Sequence, residues 1–147
     1  MKDKLFIDSD IILDIALSRE PHFHSSSLIL SLIESKMLDG YTSSIIISNL
    51  YYILRKIESH KIAIDFSTKL RLIIKILPVT DEIIKLSLES KFKDFEYALQ
   101  YYTAILSNID YLITRNVKDY ARTDIKVHTP DEFIKLKNIK KNVGTSG

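Results

Sequence analysis

Short apolar runs alternate along this chain with longer stretches in which apolar side chains recur every three or four positions. The short runs LFID (5–8), YTS (41–43), KILPVT (75–80), DYLIT (110–114) and KVHT (126–129) predict buried strands, the third closed by Pro78. The longer stretches predict amphipathic helices. The first is IILDIAL (11–17), capped by Ser9 or Asp10, and the second SSLILSLIESKML (26–38), with a serine cluster as cap. Residues 43–57 place Ile46, Leu50, Ile53 and Ile57 on one stripe, although the β-branched run 45–47 also permits a strand. Further helices are predicted over 61–74, over 81–92 after a Thr80 cap, and over 95–108 after Asp94; in the last, Ala98, Tyr101, Tyr102 and Ile105 share a face. Pro130 opens a closing helix, DEFIKLK. Residues 19–27 read as a loop, Asp39-Gly40 as a turn, and residues 116–120 as a turn or short helix.

Strands that alternate with helices predict an α/β fold, a three-layer α/β/α sandwich around a parallel sheet. With right-handed crossovers the C-terminal ends of all strands lie along one edge, where ligands of open sheets bind. No internal repeat or linker divides the 147 residues, so one domain is expected over 1–136, followed by a basic tail over 137–147.

Composition narrows the chemistry. The chain has no cysteine, which excludes disulfides, thiolate metal sites and a cysteine nucleophile, and fits a reducing, cytoplasmic setting. No apolar run approaches the roughly 18 residues of a membrane span. The opening MKDKLFIDSDIILDIAL has Asp8, Asp10 and Asp14 inside its apolar region and no small-residue cleavage site after it, so it is read as part of the fold. Net charge is +2, and four lysines (Lys135, Lys137, Lys140, Lys141) follow Glu132 with no acid among them. Removing those four charges leaves −2 on residues 1–132, a nearly neutral body with a basic end.

The candidate chemistry is acidic. Asp8 ends the first strand and is followed by Ser9 and Asp10, while DYLIT ends in Thr114 and is followed by Arg115, Asn116 and Asp119. The helix preceding that strand opens with Asp94 and Glu96, and its start falls near the same edge. Gathered carboxylates repel one another unless a cation neutralises them, and an all-oxygen set suits Mg²⁺ or Mn²⁺. Taken singly, Asp10 and Asp94 equally suit helix caps, Asp14 shares that ambiguity, Asp119 suits a surface turn and Arg115 a surface salt bridge. Joint placement at one edge is what favours a site.

These residues resemble the PIN-domain family, metal-dependent ribonucleases that include the VapC-type toxins of toxin–antitoxin pairs. FIDSDIILDIALSREP resembles the family's opening strand and helix, TSSIIISNLYYILRK its second block, KDFEYALQYYTAI its third and DYLITRNVKDY its fourth. The resemblance implies a Mg²⁺-dependent site of three or four acids, an RNA substrate cut by metal-activated water, and an antitoxin protein as partner. Asp8 matches the first acid of the pattern, and Asn49 stands where many members carry glutamate. Tyr97 occupies the acidic position of the third block, which leaves Asp94, three residues earlier on the same helix face, as the substitute. Glu96 lies about 100° around the helix from Tyr97. Asn116 replaces a frequent aspartate and Asp119 is kept. The implied set is thus Asp8, Asp94 and Asp119 as catalytic residues and metal ligands, with Asn116 as a further ligand and Asp10, Asn49, Glu96, Thr114 and Arg115 as secondary candidates.

Two other functions are carried beside it. One is a catalytically weakened or inactive PIN-like module that binds RNA or protein, suggested by Tyr97 and Asn116. The other is a phosphohydrolase of the haloacid-dehalogenase type, since Asp8-Ser9-Asp10 resembles its nucleophile motif; Ile12 replaces the usual threonine, and no glycine-rich acidic motif follows. The eight tyrosines read mainly as core or interface residues, and His22 and His24 as a solvated loop. Apolar stripes in the helices over 25–72 leave room for a homodimer or a docked antitoxin helix.

Overall fold

A computed structural model describes residues 2–120 and 123–139. The basic lysines Lys140 and Lys141 and residues 142–147 of the expected tail lie outside the described residues. The strands are β1 (Lys4–Ile7), β2 (Asp39–Ser43), β3 (Lys75–Leu77), β4 (Tyr111–Ile113) and β5 (Lys126–His128). They form a fully parallel sheet in the order β3-β2-β1-β4-β5. The helices are α1 (Ser9–Ala16), α2 (Phe23–Glu34), α3 (Ser44–Ile57), α4 (His60–Ile73), α5 (Asp81–Glu89), α6 (Phe95–Leu106) and α7 (Pro130–Leu136), with a 3₁₀ turn at Val117–Tyr120.

Helix contacts sort into two layers: α1, α2, α3, α4 and α7 pack in succession on one face, while α5 and α6 pack together on the other. The strand order accounts for this. From β1 to β3 the chain moves one way across the sheet, and from β3 to β4 it crosses back, so right-handed crossovers place the intervening helices on opposite faces. Leu5, Phe6, Leu112 and Ile113 are completely buried because β1 and β4 are central and covered on both sides. Among the described residues, no helix is long and apolar enough to cross a membrane.

Local chemistry explains most element boundaries. Ser43, Ser59 and Thr80 cap α3, α4 and α5 by accepting from the third residue onward, and Thr129 forms a reciprocal capping box with Glu132. The Ser43 cap settles residues 45–47 as helix. Three expectations are corrected. Asp8, rather than Ser9 or Asp10, is the N-cap of α1. Helix α2 begins at Phe23, inside the expected loop, and no side chain caps it. Its first turns form because the amides of Phe23 and Ser26 bond the carbonyls of Arg19 and His22, and the serines meant as caps face inward, with Ser25 bonded to Asp131 of α7. The same helix ends four residues early, where Lys36 takes a left-handed conformation (φ 66°). Finally, Asp39-Gly40 is not a turn but the start of β2, with Gly40 in register with Leu5. A Cβ at Gly40 would lie 2.6 Å from Ile33 Cδ1, so the glycine lets α2 press onto the sheet.

Candidate functional site

Parallel register sets two strand ends side by side. Ile7 pairs with Ile113, and the next amide, that of Asp8, donates to the Ile113 carbonyl at 3.0 Å. Asp8 therefore leaves β1 next to Thr114, which follows β4. One oxygen of Asp8 accepts from the Ser9 amide at 2.8 Å, starting α1. The other accepts from the Thr114 hydroxyl at 2.9 Å and the Tyr120 phenol at 3.1 Å.

Asp10, in the first turn of α1, turns back to the same loop. Its Oδ2 accepts from the Arg115 backbone amide at 2.9 Å and the Asn116 side-chain amide at 3.2 Å, and lies 3.3 Å from the Thr114 hydroxyl. That hydroxyl has one proton and two carboxylate neighbours, so it serves one at a time. The Oδ1 of Asp10 is buried and has no hydrogen-bond partner. Asp14, one turn on and fully buried, receives Arg115 Nε at 2.7 Å and Nη2 at 3.2 Å, and Arg19 Nε at 3.0 Å. The ambiguity at Asp14 resolves to a buried ion pair that fixes the Arg115 side chain.

Burial dominates the electrostatics. It raises the Asp8 carboxyl to about 7, with the Asp10 charge adding to it, against the lowering effect of the three hydrogen bonds. Asp10 is raised too, first by burial, with Arg115 opposing. Tyr120 is pushed upward by burial and then by Asp8, so it acts as a neutral donor.

The third expected acid is where the arrangement differs most from a simple cluster. Asp94 is exposed and caps α6, accepting from the Glu96 amide at 2.8 Å and the Tyr97 amide at 3.4 Å. Tyr97, one turn into α6, sends its phenol toward the carboxylates, where Asp119, Asp8 and Asp94 all act on it. Burial and these neighbours raise it to about 12. Its ring packs edge-on to Tyr120 at 5.1 Å between centroids. Asn49 is exposed on α3 and Glu96 is exposed on α6; neither joins the hydrogen bonds around Asp8.

One participant goes beyond the sequence reading. Tyr120 holds Asp8 in place, and no local spacing marks its hydroxyl as a carboxylate partner. An aromatic residue closing DYLITRNVKDY reads only as core.

Among the described residues, no three acidic or imidazole side chains gather as a complete metal cage. A magnesium ion needs less, since it is commonly held by one or two carboxylates and keeps several waters. Asp8 and Asp10 fit that need: both are raised by burial, and Asp10 Oδ1 is an orphaned buried acceptor. Asn116 borders the pair through its bond to Asp10, and Asp119 and Asp8 both act on the Tyr97 phenol.

Comparison with known proteins gives the same outline. Residues 4–118 match the model of a family described as PIN domain. Ribonuclease VapC1 of Aquifex aeolicus (strain VF5) is 31% identical over 136 residues, covering 89% of this chain and 93% of that protein. Among solved structures, VapBC2 from Rickettsia felis bound to a promoter DNA fragment superposes with a TM-score of 0.67 at 17% identity, covering 86% of this chain and 98% of that one. A toxin–antitoxin complex from Klebsiella pneumoniae superposes at 0.65 with 23% identity, covering 86% and 97%.

Proposed function

The chain belongs to the PIN-domain family, and from that footing we propose that it is a Mg²⁺- or Mn²⁺-dependent endoribonuclease, the toxin of a toxin–antitoxin pair. The observation that carries the reading is the Asp8–Asp10 pair at the C-terminal edge of β1, Asp8 buried and Asp10 half-buried, with the Asp10 Oδ1 enclosed and unsatisfied. Asp8 and Asp10 would hold the ion, with Asn116, Asp119 and Asp94 as the surrounding oxygen donors. When bound, such an ion activates water and stabilises charge on a phosphodiester.

The chain's own residues do the rest. Thr114 and Tyr120 orient the Asp8 carboxylate, and Asn116 and the Arg115 amide orient Asp10. With Asp8 near 7, ionisation or a bound cation switches it into its working state close to neutral pH. Tyr97 in place of an acid removes one negative charge from this edge, so metal affinity and turnover are reduced relative to a fully acidic site. The partner is supported by exposed apolar side chains on α3 and α4, among them Tyr52, Ile57, Ile62 and Leu72, a surface suited to an antitoxin helix or a second copy.

The test is cleavage of RNA by purified protein. Cleavage requires Mg²⁺ or Mn²⁺ and falls by at least ~100-fold in Asp8→Asn with the fold intact by circular dichroism. Undiminished cleavage in excess chelator would end this reading.

A further inference from the structure

Beside the acids lies a second concavity. A cleft of about 300 Å³ opens between the start of α2, the loop after β4 and the start of α7, lined by His22, Arg115, Asn116, Thr129, Pro130 and Asp131. Its wall is shared with the acidic site: the Arg115 amide and the Asn116 side chain both bond Asp10, while the same two residues line the cleft. A group bound at the acids and one bound in the cleft are therefore neighbours.

The cleft's chemistry suits a nucleotide. Its volume reaches the lower range of small-molecule sites, enough for one base and sugar. The Arg115 guanidinium is held by two bonds to the buried Asp14, so its direction is set before any ligand arrives. One third of that side chain stays exposed. A guanidinium fixed in this way suits a phosphate oxygen. His22 and Pro130 offer flat faces for a base, and Asn116 and Thr129 offer polar groups for its edge.

We propose that this cleft is a nucleotide subsite of the RNA path, taking a nucleotide that flanks the cleaved phosphodiester, with Arg115 on its phosphate and Asp14 as the residue that positions Arg115. The proposal rests on the ribonuclease reading, and its test separates the two. A fluorescein-labelled hexaribonucleotide with 2′-O-methyl sugars, which tolerates no cleavage through the 2′-hydroxyl, is titrated in chelator so that metal chemistry is silent. Wild-type protein binds it; His22→Ala and Arg115→Ala each weaken binding by about tenfold, with melting temperatures measured alongside. A 4-thiouridine version of the probe crosslinks to peptides containing His22 or Thr129.

Because Arg115→Ala leaves Asp14 with Arg19 alone, His22→Ala carries the test independently of that ion pair. Affinity unchanged in His22→Ala and Arg115→Ala, or crosslinks mapping elsewhere, overturns the subsite while leaving Mg²⁺-dependent cleavage untouched. If the wild type binds no oligonucleotide at millimolar concentration, the subsite fails, and metal-dependent cleavage then decides the ribonuclease reading separately.

Discussion

Tyr97 shows how much one side chain alters at this edge. An aspartate there would add a further carboxylate beside Asp8, Asp10 and Asp119; the phenol instead stays neutral, raised to about 12 by burial and by the Asp119, Asp8 and Asp94 charges. The site therefore trades cation attraction for a quieter resting state, with less repulsion among its acids. Tyr97→Asp is expected to lower the Mg²⁺ concentration for half-maximal cleavage by about tenfold, roughly one added charge contact at short range. Calorimetric titration of Mg²⁺ into both proteins checks this, and weaker binding by the variant would show that the phenol is itself needed. The residue was identifiable as a departure in the third block, whereas the company it keeps was not. Its contacts with Asp119 and Tyr120 join residues more than 20 positions apart.

Elements carried their own instructions to different degrees. Caps at Ser43, Ser59, Thr80 and Thr129 act within four residues, so local chemistry places the starts of α3, α4, α5 and α7. The start of α2 and the role of Gly40 depend on packing against other elements instead. Gly40→Ala pushes a methyl into Ile33, and unfolding in urea should show a loss of about 1–3 kcal/mol, the usual range for an overpacked core. Pairing it with Ile33→Val, which removes a methyl from the obstructing side chain, should recover part of that loss. An additive double variant would mean that the clash is not the cause.

For the molecule as a whole, the buried acids link stability to pH and metal. Asp8 titrates near 7 in the fold against 3.8 for an ordinary carboxyl. The folded state thus holds a proton that the unfolded chain has released, and stability falls as pH rises between those values. On the order of 4 kcal/mol is present below about pH 4 and lost as pH passes through 7. In chelator, the melting temperature should decline from pH 5 to pH 8 by more than in Asp8→Asn. Adding 10 mM Mg²⁺ at pH 8 should restore part of it, because a cation that binds only the folded, ionised pair shifts the equilibrium toward it. A flat profile in both proteins would show that Asp8 is not buried with its charge.

Period and punctuation along the chain were enough for the parallel α/β/α sandwich, the five strands and the edge at which Asp8 emerges. Those features follow from interactions within a few residues: alternation of short apolar runs with helical stripes, and caps that satisfy the nearest amides. Asp8 was the residue most open to this reading, because a carboxylate directly after a buried strand has few places to go. The grouping of acids needed the folded chain. Asp10 turns to Arg115 and Asn116, Asp94 caps its own helix, and Asp14 clamps Arg115. Each choice depends on which donors the register of β1 against β4 brings within about 3 Å, across more than 100 residues of sequence. Hydrogen bonds of that range are decided by tertiary packing, and no spacing along the chain encodes them.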